Sequence, residues 1–219
     1  REAKKHGADF IATGHYVRRR QDFLYKAKDS NKDQSYFLWT LNRDQIRHSL
    51  FPLGNLTKSE VRKIATNLKL NVAKKPDSQG ICFVGAVPMA KFLGVKIKHN
   101  PGAVMNAAGK IIGEHDGMPF YTIGQRHGLK ISSRLPYYIA RKDLVTNTII
   151  VAEGQNDEIL YAKNLTVSNV SWISVEPRLG KKYGAKIRYR QPDVSTKLIS
   201  RSNKLWKFEF DNPQKAITP

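Results

Sequence analysis

The chain carries one cysteine, Cys82, in the run Asp77-Ser78-Gln79-Gly80-Ile81-Cys82-Phe83-Val84-Gly85. Two kinds of chemistry fit it. Cys82 can be a small core thiol packed between Ile81 and Phe83. It can also be a nucleophile, its thiolate favoured by Lys74 and Lys75 a few residues upstream. The glycines at Gly80 and Gly85 lower backbone restriction on both sides of the thiol and suit a loop that moves. A single cysteine excludes an internal disulfide and a multi-thiolate metal site. The six histidines form no H-x-x-x-H or H-E-x-x-H pair, so no catalytic metal is expected. A reducing cytoplasm is the expected setting.

Three further groups have the right residue types for a polyanionic ligand. Lys32-Asp33-Gln34 sits on a loop entering a helix, where a cation beside helix N-terminal amides suits a phosphate and Asp33 alternatively serves as an ordinary cap. Arg188-Tyr189-Arg190-Gln191 reads as strand, with the two arginines on one face and Tyr189 on the other. That pair suits phosphate or base edges, or else a solvated strand face over a core tyrosine. His15 follows a strand and is placed either to touch a nucleotide or to satisfy its own local structure. The balance of charge points the same way. Lys and Arg number 38 against 18 acids, a formal net charge of +20. The excess is spread as +9 over residues 1–85, +5 over 86–140 and +6 over 141–219. A basic surface of that extent suits nucleic acid, although charge also serves solubility.

These groups need a scaffold. Residues 1–6 read as the end of a helix capped by Gly7, and Ala8–Thr13 as a buried strand closed by Gly14. Helix followed by strand is the pattern of an open α/β sheet, which binds ligands where strand ends meet loops, here Thr13–Tyr16. Asp33–Trp39 begins a short helix, and Asn42–Gln45 has capping-box form and begins another. Thr57–Glu60 is a second capping box. It is followed by Val61, Ile64, Ala65 and Leu68 at amphipathic-helix spacing. After about Gly85 glycines and short apolar runs alternate, which predicts a small β-rich region that includes Phe120–Gly124. From about Asn164 the period-two runs Ala185–Arg190 and Leu205–Phe210 predict an antiparallel barrel. The expected domains are residues 1–85, 86–163 and 164–219, the last an incomplete barrel. No apolar run approaches a membrane span. The opening Arg1–His6 is no signal peptide. It lacks an initiator methionine and begins in mid-helix, so the natural N-terminus is expected to lie upstream.

Taken in order, Ala12-Thr13-Gly14-His15-Tyr16, Asn31–Leu38, Phe51-Pro52-Leu53-Gly54 and Lys75–Gly85 closely resemble the tRNA-specific 2-thiouridylase family. So do Pro101-Gly102, Gly113–Gly117, Tyr121–Leu129, Arg188–Gln191 and Ala216–Pro219. The resemblance covers essentially the whole chain. It implies the C-terminal part of a Rossmann-like adenine nucleotide α-hydrolase domain, then a small β-rich domain and an antiparallel β-barrel. It implies ATP-dependent adenylation of the 2-oxygen of the wobble uridine, position 34 of certain tRNAs. A cysteine persulfide then delivers sulfur to C2 and AMP leaves. By motif the persulfide cysteine is Cys82. Gly14 matches an ATP-contacting glycine, and His15, Lys32, Asp33, Gln34, Arg188 and Tyr189 match positions that touch tRNA. The partners implied are tRNA and a sulfur-donor protein, either a sulfur relay protein or a cysteine desulfurase. Magnesium is expected with the ATP.

The departures are also specific. The family's Ser-Gly-Gly-Val-Asp-Ser loop, an aspartate and a second cysteine are absent, as is a Gly-Gln after Pro219. The 219 residues alone are therefore expected not to complete the reaction. A non-catalytic RNA-binding module would have no need of the Gly-Ile-Cys-Phe block. Another pyrophosphatase-loop ATPase, such as a tRNA lysidine synthetase, fits the Tyr121–Leu129 block and the barrel-like tail poorly.

Overall fold

A computed structural model describes residues 2–75, 89–129, 131–132 and 134–218. Cys82 lies outside the described residues, and so does the expected cleft between it and Gly14. The chain divides into two compact units, Arg1–Asp77 with Thr166–Trp206 and Ser78–Leu165 with Lys207–Pro219. Mixed α/β structure in the first half gives way to mainly β structure, and the sheets do not close.

In the first unit, α1 (Glu2–Lys5) stops at Gly7, which adopts φ +77° as a helix C′ residue does. β1 (Ile11–Ala12) follows, then the antiparallel hairpin of β2 (Val17–Arg20) and β3 (Phe23–Lys26). A 3-10 helix spans Ser35–Leu38, α2 spans Arg43–Arg47, and β4 (Ser49–Leu50) pairs parallel with β1. Both sequence capping boxes are formed. Asn42 Oδ1 accepts from the Gln45 amide at 2.9 Å, while Gln45 Oε1 accepts from the Asn42 amide at 2.9 Å. Thr57 and Glu60 make the same reciprocal pair and start α3 (Lys58–Asn67).

One expectation about this unit fails, and one element that forms as expected is left uncovered. The strand expected to be buried is exposed, with Phe10 at 52% and Ile11 at 48%. α3 forms with its apolar stripe, yet buries no residue, and Ile64 is 46% and Leu68 65% exposed. The reason is common to both. Periodicity predicts which side chains share a face, whereas burial needs an element packed over that face. The Phe51–Gly54 break does find its packing. A Cβ on Gly54 would lie 2.0 Å from the Val17 carbonyl oxygen, so only glycine lets this turn close against β2.

The second unit begins, among the described residues, with α4 (Met89–Gly94). Its sheet contains β5 (Gly102–Asn106), β6 (Ile111–His115), β7 (Tyr137–Asp143) and β8 (Thr148–Glu153) in the order β6-β5-β8-β7. β5 and β8 run parallel in the middle, with antiparallel partners outside. Val104, Ile139, Ile149 and Val151 are fully buried there, with Met118 and Tyr121 against them. Phe120–Gly124 is not a strand: Met118–Phe120 is 3-10 helix and the chain then loops.

In the C-terminal stretch β9 (Tyr161–Val167), β10 (Lys182–Ala185), β11 (Val194–Ser202) and β12 (Leu205–Lys215) are all strand, and no helix occurs among the described residues of 164–218. β10 and β11 pair antiparallel in the first unit. The run Val170-Ser171-Trp172 is not strand, although Trp172 packs edge-on against Trp206 at 5.1 Å.

Candidate functional site

The site grows from the loop after β3. Asp33 is only 5% exposed and serves as a backbone clamp. Its Oδ1 accepts from the Ala27 amide at 2.9 Å, and its Oδ2 accepts from the Ser35 hydroxyl at 2.8 Å. The carboxylate thereby ties the end of β3 to the start of the 3-10 helix. Gln34 makes a second clamp. Its amide donates to the Tyr16 carbonyl at 2.8 Å and its Oε1 accepts from the Tyr16 amide at 3.0 Å. That pair fixes the backbone beside His15, whose Nδ1 lies 2.9 Å from Thr13 Oγ1. Loop and α3 are also joined. Asp29 Oδ2 accepts from the Lys58 amide at 2.9 Å, and Lys28 Nζ sits 2.9 Å from Glu60 Oε1. The Thr57 amide, with help from Lys28, holds the Glu60 carboxyl at about 2, well below its ordinary value. Lys32 is half-buried in this braced loop.

The second group, Arg188–Gln191, is a turn. The strand reading of Ala185–Arg190 is therefore corrected, because β10 ends at Ala185. The Gln191 amide donates to the Arg188 carbonyl at 3.2 Å, and Arg190 adopts φ +65°. Pro192 is the physical reason, since it has no amide to donate to a ladder and restricts the residue before it. In the turn Tyr189 and Arg190 are neighbours and not on opposite faces: the Arg190 guanidinium lies 5.3 Å from the Tyr189 ring centre.

The fold brings the two groups together. Tyr189 packs on Phe37 at 4.6 Å and on Tyr36 at 6.4 Å. The Tyr36 hydroxyl donates to the Ile187 carbonyl at 3.3 Å. Lys186 Nζ stands 3.9 Å from Asp33 and 4.0 Å from Asp193, and Lys26 makes an ion pair with Asp193. Beside these lies an open depression of about 360 Å3, its lining including Lys26, Asn31, Asp33, Lys186, Arg190 and Asp193. His15, Lys32, Asp33, Gln34, Arg188 and Tyr189 thus belong to one unit, on three segments, with the Asp33–Phe37 stretch touching both of the others. Gly14 is exposed, and a Cβ there would meet only Leu53 at 3.8 Å, so nothing among the described residues demands glycine at that position.

The sequence reading assigned no role to Tyr36, Phe37, Lys26, Lys186 or Asp193. Two adjacent aromatics after Asp-Gln-Ser were a usable signal, because Tyr36 is 37% and Phe37 51% exposed. The lysines and Asp193 had no local signal. Chemically, the arrangement offers cations and aromatic faces to a polyanion carrying rings. The described residues contain no group of three potential metal ligands, and no helix among them is long and apolar enough to cross a membrane.

Known proteins show the same order of parts. Residues 1–86 match the tRNA methyl transferase HUP domain, 90–153 the tRNA methyl transferase PRC-barrel domain and 162–219 the aminomethyltransferase β-barrel domain. Among curated proteins, 97% of this chain is 44% identical to the tRNA-specific 2-thiouridylase MnmA of Histophilus somni (strain 129Pt), of which it covers 58%. It is also 44% identical over 97% of its length to the proteins of that name from Mannheimia succiniciproducens and Enterobacter sp. (strain 638), covering 57% and 60% of them. The chain spans rather less than two thirds of each of these relatives.

Proposed function

Because the chain belongs to the tRNA-specific 2-thiouridylase family, we propose that it is the tRNA-docking and sulfur-delivering part of an ATP-dependent tRNA-uridine 2-sulfurtransferase. The observation that carries this reading is the contact between the segment that follows Lys32 and the segment that holds Arg188: Tyr189 packs on Phe37, and Lys186 stands 3.9 Å from Asp33. Lys32 and Arg188 neutralise phosphates, and Tyr189 backed by Phe37 offers a ring for a base. Asp33 and Gln34 act through the backbone they hold, since their side-chain atoms already clamp Ala27, Ser35 and Tyr16. His15 directly follows Gly14, at whose exposed bare backbone a nucleotide can approach without meeting a Cβ.

The chemistry asked of these parts is explicit. A uridine C2 carbonyl is a poor electrophile. Attack of its 2-oxygen on the α-phosphorus of ATP releases pyrophosphate and makes the oxygen part of a leaving group. Magnesium accompanies the triphosphate. The outer sulfur of a Cys82 persulfide attacks C2, and AMP departs. A second thiol then takes the Cys82 sulfur as a disulfide and leaves 2-thiouridine. With one cysteine in 219 residues, that thiol comes from outside them. A thiol reductant then opens that disulfide. The freed Cys82 thiolate takes the outer sulfur of a persulfide on a sulfur-donor protein, either a relay protein or a cysteine desulfurase, whose own thiol is released, and the setting is cytoplasmic. The units of function are residues 1–85 for adenylation, 86–163 as the β-rich link and 164–219 as the barrel-like tail.

The test joins this chain to the upstream region of the Enterobacter relative and measures 2-thiouridine in tRNA alongside pyrophosphate release. Cys82→Ser is expected to abolish thiolation completely and to leave pyrophosphate release intact, because adenylation needs no thiol. Wild-type thiolation in Cys82→Ser would return Cys82 to the role of a core thiol.

A further inference from the structure

The β2–β3 hairpin carries a set of arginines that the docking site above does not use. Together with α2 it holds six cations, Arg18, Arg19, Arg20, Lys26, Arg43 and Arg47, against Asp22 and Asp44. The register pairs Arg18 with Tyr25 and Arg20 with Phe23, so these four side chains share one face. Each arginine is braced. Arg18 Nε donates to the Lys26 carbonyl at 2.6 Å. Arg20 lies over the Tyr25 ring at 5.6 Å, and Arg43 lies over Phe23 at 4.7 Å. Arg19 donates to the carbonyls of Ile46 at 3.4 Å and Arg47 at 2.5 Å, which anchors the hairpin to the C-terminal end of α2. Asp22 is shared by Arg43 at 3.4 Å and Arg47 at 3.6 Å, so one carboxylate offsets two guanidinium groups. Those two arginines remain 51% and 64% exposed.

Guanidinium groups stacked on rings and pinned through one edge lose little rotamer freedom when they bind, and their planar forks match phosphate oxygens. Alternate positions on a strand lie about 6.8 Å apart, a spacing close to that of successive phosphates on one nucleic-acid strand. Tyr25, 44% exposed between the arginines, adds a ring face that an acidic protein would not require. Lys26, the last residue of β3 and on the other face of the hairpin from Tyr25, lines the depression beside Arg190, so the hairpin borders both surfaces.

We propose that the hairpin face of Arg18 and Arg20, with Arg43 and Arg47 of α2, is a second phosphate-binding surface that tracks the RNA backbone leading to the Lys32–Arg188 site. The inference rests on the reading of that site as RNA-facing.

The test uses the 219-residue chain, tRNA, and polyglutamate as an acidic polypeptide, with binding measured by anisotropy across a salt series. Replacing Arg18→Gln and Arg20→Gln together is expected to weaken tRNA binding about tenfold at low salt. It should also make the slope of log affinity against log salt shallower by roughly one to two. Arg43→Gln with Arg47→Gln, away from the strand ladder, should act in the same direction. Arg18→Lys with Arg20→Lys should keep the slope. Circular dichroism melting checks that each variant is folded, and the α2 pair carries the test if the hairpin pair is not. Unchanged affinity and slope in the glutamine pairs overturn the proposal. Equal losses for tRNA and polyglutamate overturn it in favour of an acidic protein partner. Arg188→Ala separates the two readings. If it leaves tRNA binding intact while the hairpin pair loses it, the Arg188 assignment fails and the hairpin stands. The reverse pattern removes the hairpin alone. A wild-type chain that binds no tRNA at low salt removes both.

Discussion

β5 and β8 run parallel inside a four-stranded sheet, and Val104, Ile149 and Val151 on them are fully buried. β1 and β4 also run parallel, but they form a two-stranded pair, and Ile11 and Leu50 stay 48% and 39% exposed. Parallel pairs are normally covered on both faces. The antiparallel neighbours β6 and β7 give β5 and β8 the width over which a loop can fold back, as Met118 and Tyr121 do. A pair two residues long has no such width. The contrast separates two jobs. The second unit keeps its apolar residues for its own stability. The first unit spends its order on hydrogen-bonded clamps, through Asp33, Gln34 and Asp29, around a polar surface.

The sharpest way to break that contrast is a matched pair of truncations. Ile149→Ala should cost about 2–5 kcal/mol in chemical denaturation, because it empties a filled core. Ile64→Ala on the exposed stripe of α3 should cost less than about 0.5 kcal/mol. Equal costs would mean that α3 is buried in solution.

A smaller effect is expected at Lys142, also in the second unit. Its ammonium donates to the Met118 carbonyl at 2.9 Å and to the Tyr121 carbonyl, and desolvation lowers its pKa from the ordinary 10.5. Lys142→Met leaves two carbonyls without that donor and should cost roughly 1–3 kcal/mol. The sign with pH follows from the depressed value. The unfolded chain binds more protons just below pH 10.5, so wild-type stability should rise with pH through that interval. A titration of stability that shows the same rise in Lys142→Met would place the cause elsewhere.

The smallest effect belongs to the first unit's clamps. Thr57→Ala should cost about 1 kcal/mol by removing the α3 cap. Glu60, held at about 2 against 4.5 in the unfolded chain, contributes stability above pH 4.5 that is lost as pH falls toward 2. Glu60→Gln should flatten that part of the acid-denaturation curve. A curve unchanged by Glu60→Gln would show that the α3 start is held by other contacts.

Legibility divides along physical lines. Both capping boxes, the Gly7 stop and the strand content after Gly85 could be read from the chain, because each depends on residues within a few positions of one another. The family resemblance placed Lys32–Gln34 and Arg188–Tyr189 as candidates before any geometry. Their contact could not be read locally, since Tyr36 and Ile187 are 151 positions apart and their hydrogen bond exists only because the chain returns. The turn at Arg188–Gln191 was misread as strand because period-two alternation outweighed the single signal of Pro192. The sequence by itself determined local conformation, charge and the identity of the one thiol. Only the tertiary structure decided which apolar faces are covered, which clamps Asp33 and Gln34 make, and which arginines are stacked on rings. Hydrogen bonding at a helix end is settled by neighbours in sequence, whereas burial and stacking are settled by neighbours in space.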